Sequence, residues 1–424
     1  MKRVIIAVAV VLAWGGVCYG RTITVDDDGP ADFATIQAAI DDSNDGDTVL
    51  VADGTYTGDG NRDIDFHGKA ITVKSKNGPE TCIIDCNGTE ADPHRGLYFH
   101  SGEDANSAII GFTITNGYAD DGGGIRCLFS SSPTIRDCII TGNWGAWHGG
   151  GIYCASSSPT LVSCRLISNS VATYNLAYLL EGEGGYGGAM YNCENSSPRV
   201  INCMFSDNLG EGGGGICNYF ECSPRLSNCT FSGHWADFGG GILNYWSSPT
   251  LSNCTFSGNL AGWGRALLNL QNSRPMLNNC ILWDGGDEIQ NYDSTVVITY
   301  SDVQGNWAGE GNIEADPWFA DPNTGDYHLK SQAGRWDPES ETWAIDEVTS
   351  PCIDAGDPMD AIGHEPFPNG GIINMGAYGG TAEASKSYFG AAPCETMVAG
   401  DINGDCVVDF EDFRLMALHW LDEQ

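Results

Sequence analysis

Apolar and polar positions alternate along the chain in runs of only three to six residues, and Gly, Asn, Ser or Pro cuts off each run. Around Cys254 one such run reads Ser-Pro-Thr-Leu-Ser-Asn-Cys-Thr-Phe-Ser-Gly-Asn, and variants surround Cys138, Cys164, Cys203, Cys229 and Cys280. These cysteines are spaced by 26, 39, 26, 25 and 26 residues, the long step being one unit plus an insertion of about 13. Pro133, Pro159, Pro198, Pro224, Pro249 and Pro275 keep the same step. Between them lies a second phrase, Gly-Gly-Gly-Ile, starting at Gly122, Gly149, Gly213 and Gly239, with looser copies at Gly187 and Gly264.

A fixed period in this range predicts a solenoid. Pro, Gly, Ser and Asn in every unit exclude helical repeats and leave short strands separated by turns. Alternation puts Cys254 and Phe256 on one face, and Ile242 with Asn244 on another. Leu251 joins Cys254 only if the chain bends at Ser252-Asn253. The expected fold is all-β: a right-handed parallel β-helix with about three strands per coil and coils ~4.8 Å apart. Two inward ladders follow, Cys138/Cys164/Cys203/Cys229/Cys254/Cys280 and Cys127/Cys154/Asn192/Asn218/Asn244/Asn269. A turn ladder of Asn116, Asn143, Asn169, Asn208 and Asn259 is expected too, because Asn tolerates left-handed backbone and bonds to its like.

Before the coils, Phe33, Ile36, Gln37 and Ile40 lie at helical spacing, which predicts a capping helix over 33–40 with Asp32 as N-cap. Its task is to cover the first coil's open edge. Asp45, Asp47 and Asp53 read as turn and cap residues. The insertion, 171–186, should project from one face of the solenoid.

The repeat phrases resemble the parallel β-helix repeats of the pectate-lyase-like superfamily, and also the polymorphic outer-membrane protein repeat. That resemblance implies architecture and says little about chemistry. Beyond Cys280 come Gly311-Asn-Ile-Glu-Ala-Asp-Pro-Trp-Phe, Asp326-Tyr-His-Leu, Ser350-Pro-Cys-Ile-Asp-Ala-Gly-Asp and Asn374-Met-Gly-Ala-Tyr-Gly-Gly. In this order they resemble the choice-of-anchor Q region, which implies a terminal cap and a surface-attachment signal. The expected organisation is a signal peptide at 1–20, the β-helix at 21–300, the closing region at 301–381, a linker at 382–398 and a calcium repeat at 399–424.

Charge narrows the partners. Of 424 residues, 56 are acidic and 19 are Lys or Arg, for a net charge of −37. Such a surface repels nucleic acid and anionic lipid, and disfavours acidic polysaccharides unless calcium bridges them. Residues 1–20, a basic start then an apolar run, read as a secretory signal, so the protein is expected outside the cell or on its surface. No other apolar run is long enough for a membrane helix. The ladder cysteines read as a reduced apolar stack, since in-register side chains give poor disulfide torsions. Disulfides among Cys352, Cys394 and Cys406 stay open.

Two sets of residues could carry function. Asp401, Asn403, Asp405, the Val407 carbonyl, Asp409 and Asp412 fall at EF-hand loop positions, which predicts a calcium site. Phe410, Phe413, Ala417 and Trp420 then keep one apolar helical face. This stretch resembles one dockerin type I repeat, which implies a cohesin-like partner; Cys406 stands where Gly makes the turn, and one copy is present where dockerins carry two. The second set is aromatic. Trp147, Phe238 and Trp263 lie nine residues after a ladder cysteine, Trp144 and Trp235 six after, as a stripe on which sugar rings could stack. Phe129, Tyr219, Phe220, Tyr245 and Trp246 form another.

Catalytic residues are not evident. Asp120, Asp121 and Asp237 share a turn, with no acidic neighbour counted for Asp237, and Arg126, Arg136, Arg165, His148 and His234 fall into no arrangement. The expectation is a secreted β-helix presenting a carbohydrate- or protein-binding face and attached through a calcium-binding C-terminus. The alternative is a polysaccharide-degrading hydrolase or lyase.

Overall fold

The computed structural model describes residues 20–172 and 184–388, together with 408, 410 and 412–414. Each repeat closes into one coil of a parallel β-helix, as the period predicts. The first sheet has eleven strands, from Thr22–Val25 to Val297–Thr299; the second has ten, from Gly54–Thr57 to Asp302–Val303; the third has nine, from Ile64–Asp65 to Ile289–Tyr292. Equivalent residues sit in register, as in Leu226↔Leu251, Phe231↔Phe256 and Asn218↔Asn244.

The bend between the first and second sheets is the one the alternation requires. Asp137, Ser163, Asn202, Asn228, Asn253 and Asn279 have φ between 50° and 57°, so Leu251, Cys254 and Phe256 all turn inward. The cysteine after each bend closes it: the thiols of Cys138, Cys203 and Cys229 donate to the carbonyl two residues back at 3.1, 3.2 and 3.3 Å. A small polarizable side chain that also bonds locally suits this corner. The described cysteines are free, buried thiols, Cys352 among them; Cys394 and Cys406 lie outside the described residues.

One apolar core runs along the axis. Phe205, Phe231 and Phe256 stack with centroids 4.7 Å apart, which is the coil spacing. Beside them the amides of Asn192, Asn218, Asn244 and Asn269 each donate to the next Asn at 2.8–3.0 Å, ending on Asn291. Buried amides are tolerated here because the stack supplies their partners.

The other Asn ladder differs from expectation. Pairing Tyr118 with Trp144 places Asn116 opposite Gly142, and both have positive φ. The ladder position is the next residue, occupied by Gly117, Asn143, Asn169, Asn208, His234, Asn259 and Asp284. From Asn143 to Asp284 these side chains are buried, and the left-handed backbone falls on the residue before in every case but Asp284.

The capping helix is also shorter than predicted, Ile36–Asp42, with Ile36, Ala39 and Ile40 fully buried over the first coil. Asp32 does not cap it, because its carboxylate accepts from the backbone and hydroxyl of Thr24 at 2.8 Å each. Phe33 bridges Val25, and Asn61 Oδ1 takes the Ile36 N–H at 3.0 Å instead.

At the other end, Ile313 pairs with Asp302 and Trp307 packs on the core, so 304–313 cover the last coil. The following residues run back along the solenoid flank. Asn228 donates to the Ala377 and Gly379 carbonyls, and Asn253 to that of Asn374. Phe319, Tyr327, Leu329, Cys352 and Met375 form a second core against Ile281 and Trp283.

Candidate functional site

Between the second and third sheets a short fourth wall is built. Tyr118–Asp121, Trp144–His148 and Ser170–Val171 pair in parallel, as do Trp235–Phe238 and Leu260–Trp263, and bridges through Tyr186, Leu209 and Gly212 join the two groups. The chain then reverses through the glycine phrase, whose first glycine has φ of 61–70°. A Cβ on Gly123 or Gly150 would lie 2.3 Å from a carbonyl oxygen of the wall, so the reversal needs glycine.

The tight reversal folds the residue before the glycines over the outward face of the third sheet. The two meet in a groove-like seam parallel to the axis, where side chains of both pack into one cluster. One wall carries Asp121, His148, Tyr186, Gly212, Phe238 and Trp263, coil after coil. The floor carries a run of tyrosines: Tyr153 and Tyr191 stack at 5.6 Å, Tyr191 and Tyr219 at 6.3 Å, Tyr219 and Tyr245 at 4.9 Å. Outward residues Cys217, Leu243 and Leu268 are buried because the wall leans over them. Phe220 and Trp246, 44% and 45% exposed, border the far side.

Charge gathers at the N-terminal end of this groove. His148 Nδ1 lies 3.1 Å from Asp121 Oδ1, and Arg126 reaches the other carboxylate oxygen at 3.4 Å. The imidazole is parallel to Tyr186 at 6.0 Å and tilted against Tyr191 at 4.5 Å. Its Nε2 meets no hydrogen-bond partner among the described residues. The Arg126 guanidinium lies over Tyr98 and Tyr153, and that of Arg95 lies over Tyr98 as well. Asp63 holds His94, and Asp65 holds His100, whose ring stacks on Tyr98 at 4.1 Å. Burial, then the nearby Arg126, lowers the Arg95 pKa from its usual value. Burial pushes the Tyr153 and Tyr191 phenols up, so both remain hydrogen-bond donors.

The expected aromatic stripe is broken. Trp144 and Trp235 share a row, but Ser170 and Leu209 separate them; Trp144 stacks on Tyr118 instead. Phe238 and Trp263 do touch, at 4.9 Å. Trp147 belongs to neither row. The strand Trp144–His148 bulges, so Ala146 and Trp147 together face Asp120 and His148 takes the place that Phe238 holds three coils on. Asp237 does have an acidic neighbour, since pairing Leu209 with Trp235 and Gly212 with Phe238 sets buried Glu211 beside it. Counting forward from the cysteines crosses the bulge and the insertion and loses this register. Counting back from the glycine phrase recovers it: Asp121, His148, Tyr186, Gly212, Phe238 and Trp263 each immediately precede its first glycine. Asp121, Arg126 and His148 share no motif in the sequence; the fold brings them together.

Of the residues expected to hold calcium, Asp401, Asn403, Asp405, Val407 and Asp409 lie outside the described residues, as do 173–183 of the insertion. Asp412 is described, helical and buried.

Residues 48–208 match the family described as right handed beta helix region, and residues 251–356 match one described as disaggregatase related. The chain is a right-handed parallel β-helix protein. Among solved structures it is similar to pectate lyase Pel9A, with 16% identity over 85% of this chain and 97% of that one at a TM-score of 0.49. It is also similar to a pectin methylesterase from carrot (13% identity, 66% and 88% covered, TM-score 0.40) and a rhamnogalacturonan lyase (11%, 78% and 96%, 0.36). No curated protein matches it in sequence.

Proposed function

We propose that the chain is a secreted or cell-surface protein that binds a polysaccharide along the third-sheet groove. The groove itself carries this reading: stacked tyrosines on its floor, Phe238 and Trp263 on its wall, and polar groups gathered at one end. Sugar rings offer apolar C–H faces to aromatic rings and hydroxyls to polar groups, and an elongated groove with both suits an extended glycan. Export rests on residues 1–20. Attachment rests on 399–424, where Asp401, Asn403, Asp405, the Val407 carbonyl, Asp409 and Asp412 would hold Ca2+ and a cohesin-like module would be the partner. Retention of the protein on a panel of immobilised polysaccharides tests the groove. A retained glycan should be released by Phe238→Ala with Trp263→Ala; retention untouched by both changes would remove this face from the reading.

One observation favours catalysis as a second reading. Asp121 holds His148 by Nδ1, which leaves Nε2 to take a proton, the geometry of a general base. Soluble product from any retained polysaccharide, lost in His148→Ala while retention persists, would establish it. Absence of product from the whole panel would leave binding alone.

A further inference from the structure

Arg95 carries a positive charge that its surroundings do not neutralise. Its guanidinium lies 5.2 Å from the centre of the Tyr98 ring, and its buried Nη1 has no hydrogen-bond partner. No carboxylate reaches the guanidinium among the described residues; Asp63 engages only the Arg95 backbone, its Oδ1 accepting the N–H at 3.0 Å and its own N–H donating to the carbonyl at 2.7 Å. Arg126 stands 5.9 Å from the same ring, with a buried, unpartnered Nε and one 3.4 Å contact to Asp121. The nearby acids are already engaged: Asp63 by His94 at 2.5 Å, Asp65 by His100 at 3.0 Å, Asp121 by His148 at 3.1 Å. In a chain with 19 Lys and Arg against 56 acids, two guanidinium groups sharing one tyrosine is an arrangement that the protein's own carboxylates leave incomplete. Burial first, and then the like charge of Arg126, lowers the Arg95 pKa, and a bridging anion would reverse the sign of the second effect.

We infer that this end of the groove binds an acidic group of the glycan, a carboxylate or a sulfate ester, between Arg95 and Arg126 and over Tyr98. The inference rests on the glycan reading of the groove and names the substituent its N-terminal end selects. The net charge of −37 does not oppose this at close range, since ~8 Å of physiological saline screens the distant acids while the two guanidiniums contact the ligand.

Thermal unfolding of the full chain with glucuronate, glucose 6-sulfate or glucose, beside retention on polygalacturonate, dextran sulfate and dextran, tests it. One of the two acids should raise the melting temperature where glucose does not, and which one does names the substituent. Arg95→Met and Arg126→Met should each weaken that acid about tenfold or more, the scale of one charge-assisted hydrogen bond. Arg95→Gln gives a second variant should the methionine change disturb folding. Retention of neutral and acidic polymers alike, unchanged in the variants, would overturn the acidic-group assignment and leave the groove standing. A response to the monosaccharide acid with no polymer retained would uphold the anion site and overturn the groove. No response to either acid overturns the inference outright.

Discussion

His234 interrupts a ladder of asparagines, and replacing it by Asn should stabilise the protein in a pH-dependent way. The imidazole is fully buried. Its Nδ1 accepts the Asn208 N–H at 3.1 Å, so the ring proton sits on Nε2, which has no partner. The asparagines on either side use their Nδ2 groups to reach a carbonyl of the preceding coil, Asn208 to Leu166 at 2.8 Å and Asn259 to Phe231 at 2.9 Å. Register places Phe205 in that role for residue 234, where histidine offers it nothing. Asn at this site should recover one buried bond and remove one orphaned N–H, worth about 1–3 kcal/mol at pH 8. Acid adds a second term. Burial drives the folded pKa of His234 from 6.5 down to about 3. Between these values the unfolded chain binds a proton that the folded chain refuses, so stability falls as pH falls, by about 1.4 kcal/mol per unit. At pH 5 the wild type should have lost roughly 2 kcal/mol that His234→Asn retains. Urea unfolding of both proteins at pH 8 and pH 5, at equal ionic strength, measures the two gaps, and subtraction cancels the other titrating groups. A gap that does not widen at pH 5 would refute the buried neutral histidine, and one with the variant less stable at pH 8 would refute the ladder.

Three further outcomes follow from the same geometry. Leu226→Asp or Phe256→Asp puts a lone carboxylate at a site 2% or 0% exposed and should abolish the folded far-ultraviolet signal at neutral pH; a variant that melts like the wild type would place these residues outside. Gly150→Ala sets a methyl 2.3 Å from the Ser170 carbonyl and 2.6 Å from that of Gly188, so the wall must move; a loss of more than ~2 kcal/mol by urea unfolding is expected, together with weaker glycan retention. Calcium titrated into the full chain should bind with an affinity typical of extracellular modules, roughly 10⁻⁴–10⁻³ M, and increase helicity. Asp401→Ala with Asp405→Ala should abolish both effects; a response that survives them would remove the C-terminal metal site.

The fold was legible because the chemistry of one coil is repeated. Leu251, Cys254 and Phe256 fall on one face once Asn253 takes the bend, and the residue before each of the six ladder cysteines, Asn four times, Asp and Ser once each, bends alike. The errors came where two residue types can meet the same need. Asn116 fits a left-handed turn as well as Asn143 fits a buried ladder, and only the pairing of Tyr118 with Trp144 separates the two. Asp32 fits an N-cap, yet Thr24 in the first strand competes for the same carboxylate and holds it. His234 and Asp284 were hidden because neither resembles the Asn they replace, although each offers an acceptor to the coil before.

The groove was harder to read than the core for a related reason. A core ladder is fixed by a period, whereas the groove lies where the period fails: one extra residue at Ala146-Trp147, the insertion at 171–186, and Arg126 between Tyr98 and Tyr153 in the outward row. A regular coil needs no bulge, since Tyr118–Asp121 and Trp235–Phe238 make the same wall with four residues. The bulge leaves His148 in register with Asp121 and lifts Trp147 out of it, so it adds an exposed aromatic without disturbing the charged pair. Deleting Ala146 should therefore restore the four-residue wall, keep the Asp121–His148 pair and move Trp147 onto the row of Asp120. If the pair serves the ligand and Trp147 merely borders it, retention on the polysaccharide should survive this deletion and fall in Asp121→Asn. Loss in the deletion with none in Asp121→Asn would transfer the binding role from the charged end of the groove to the bulge.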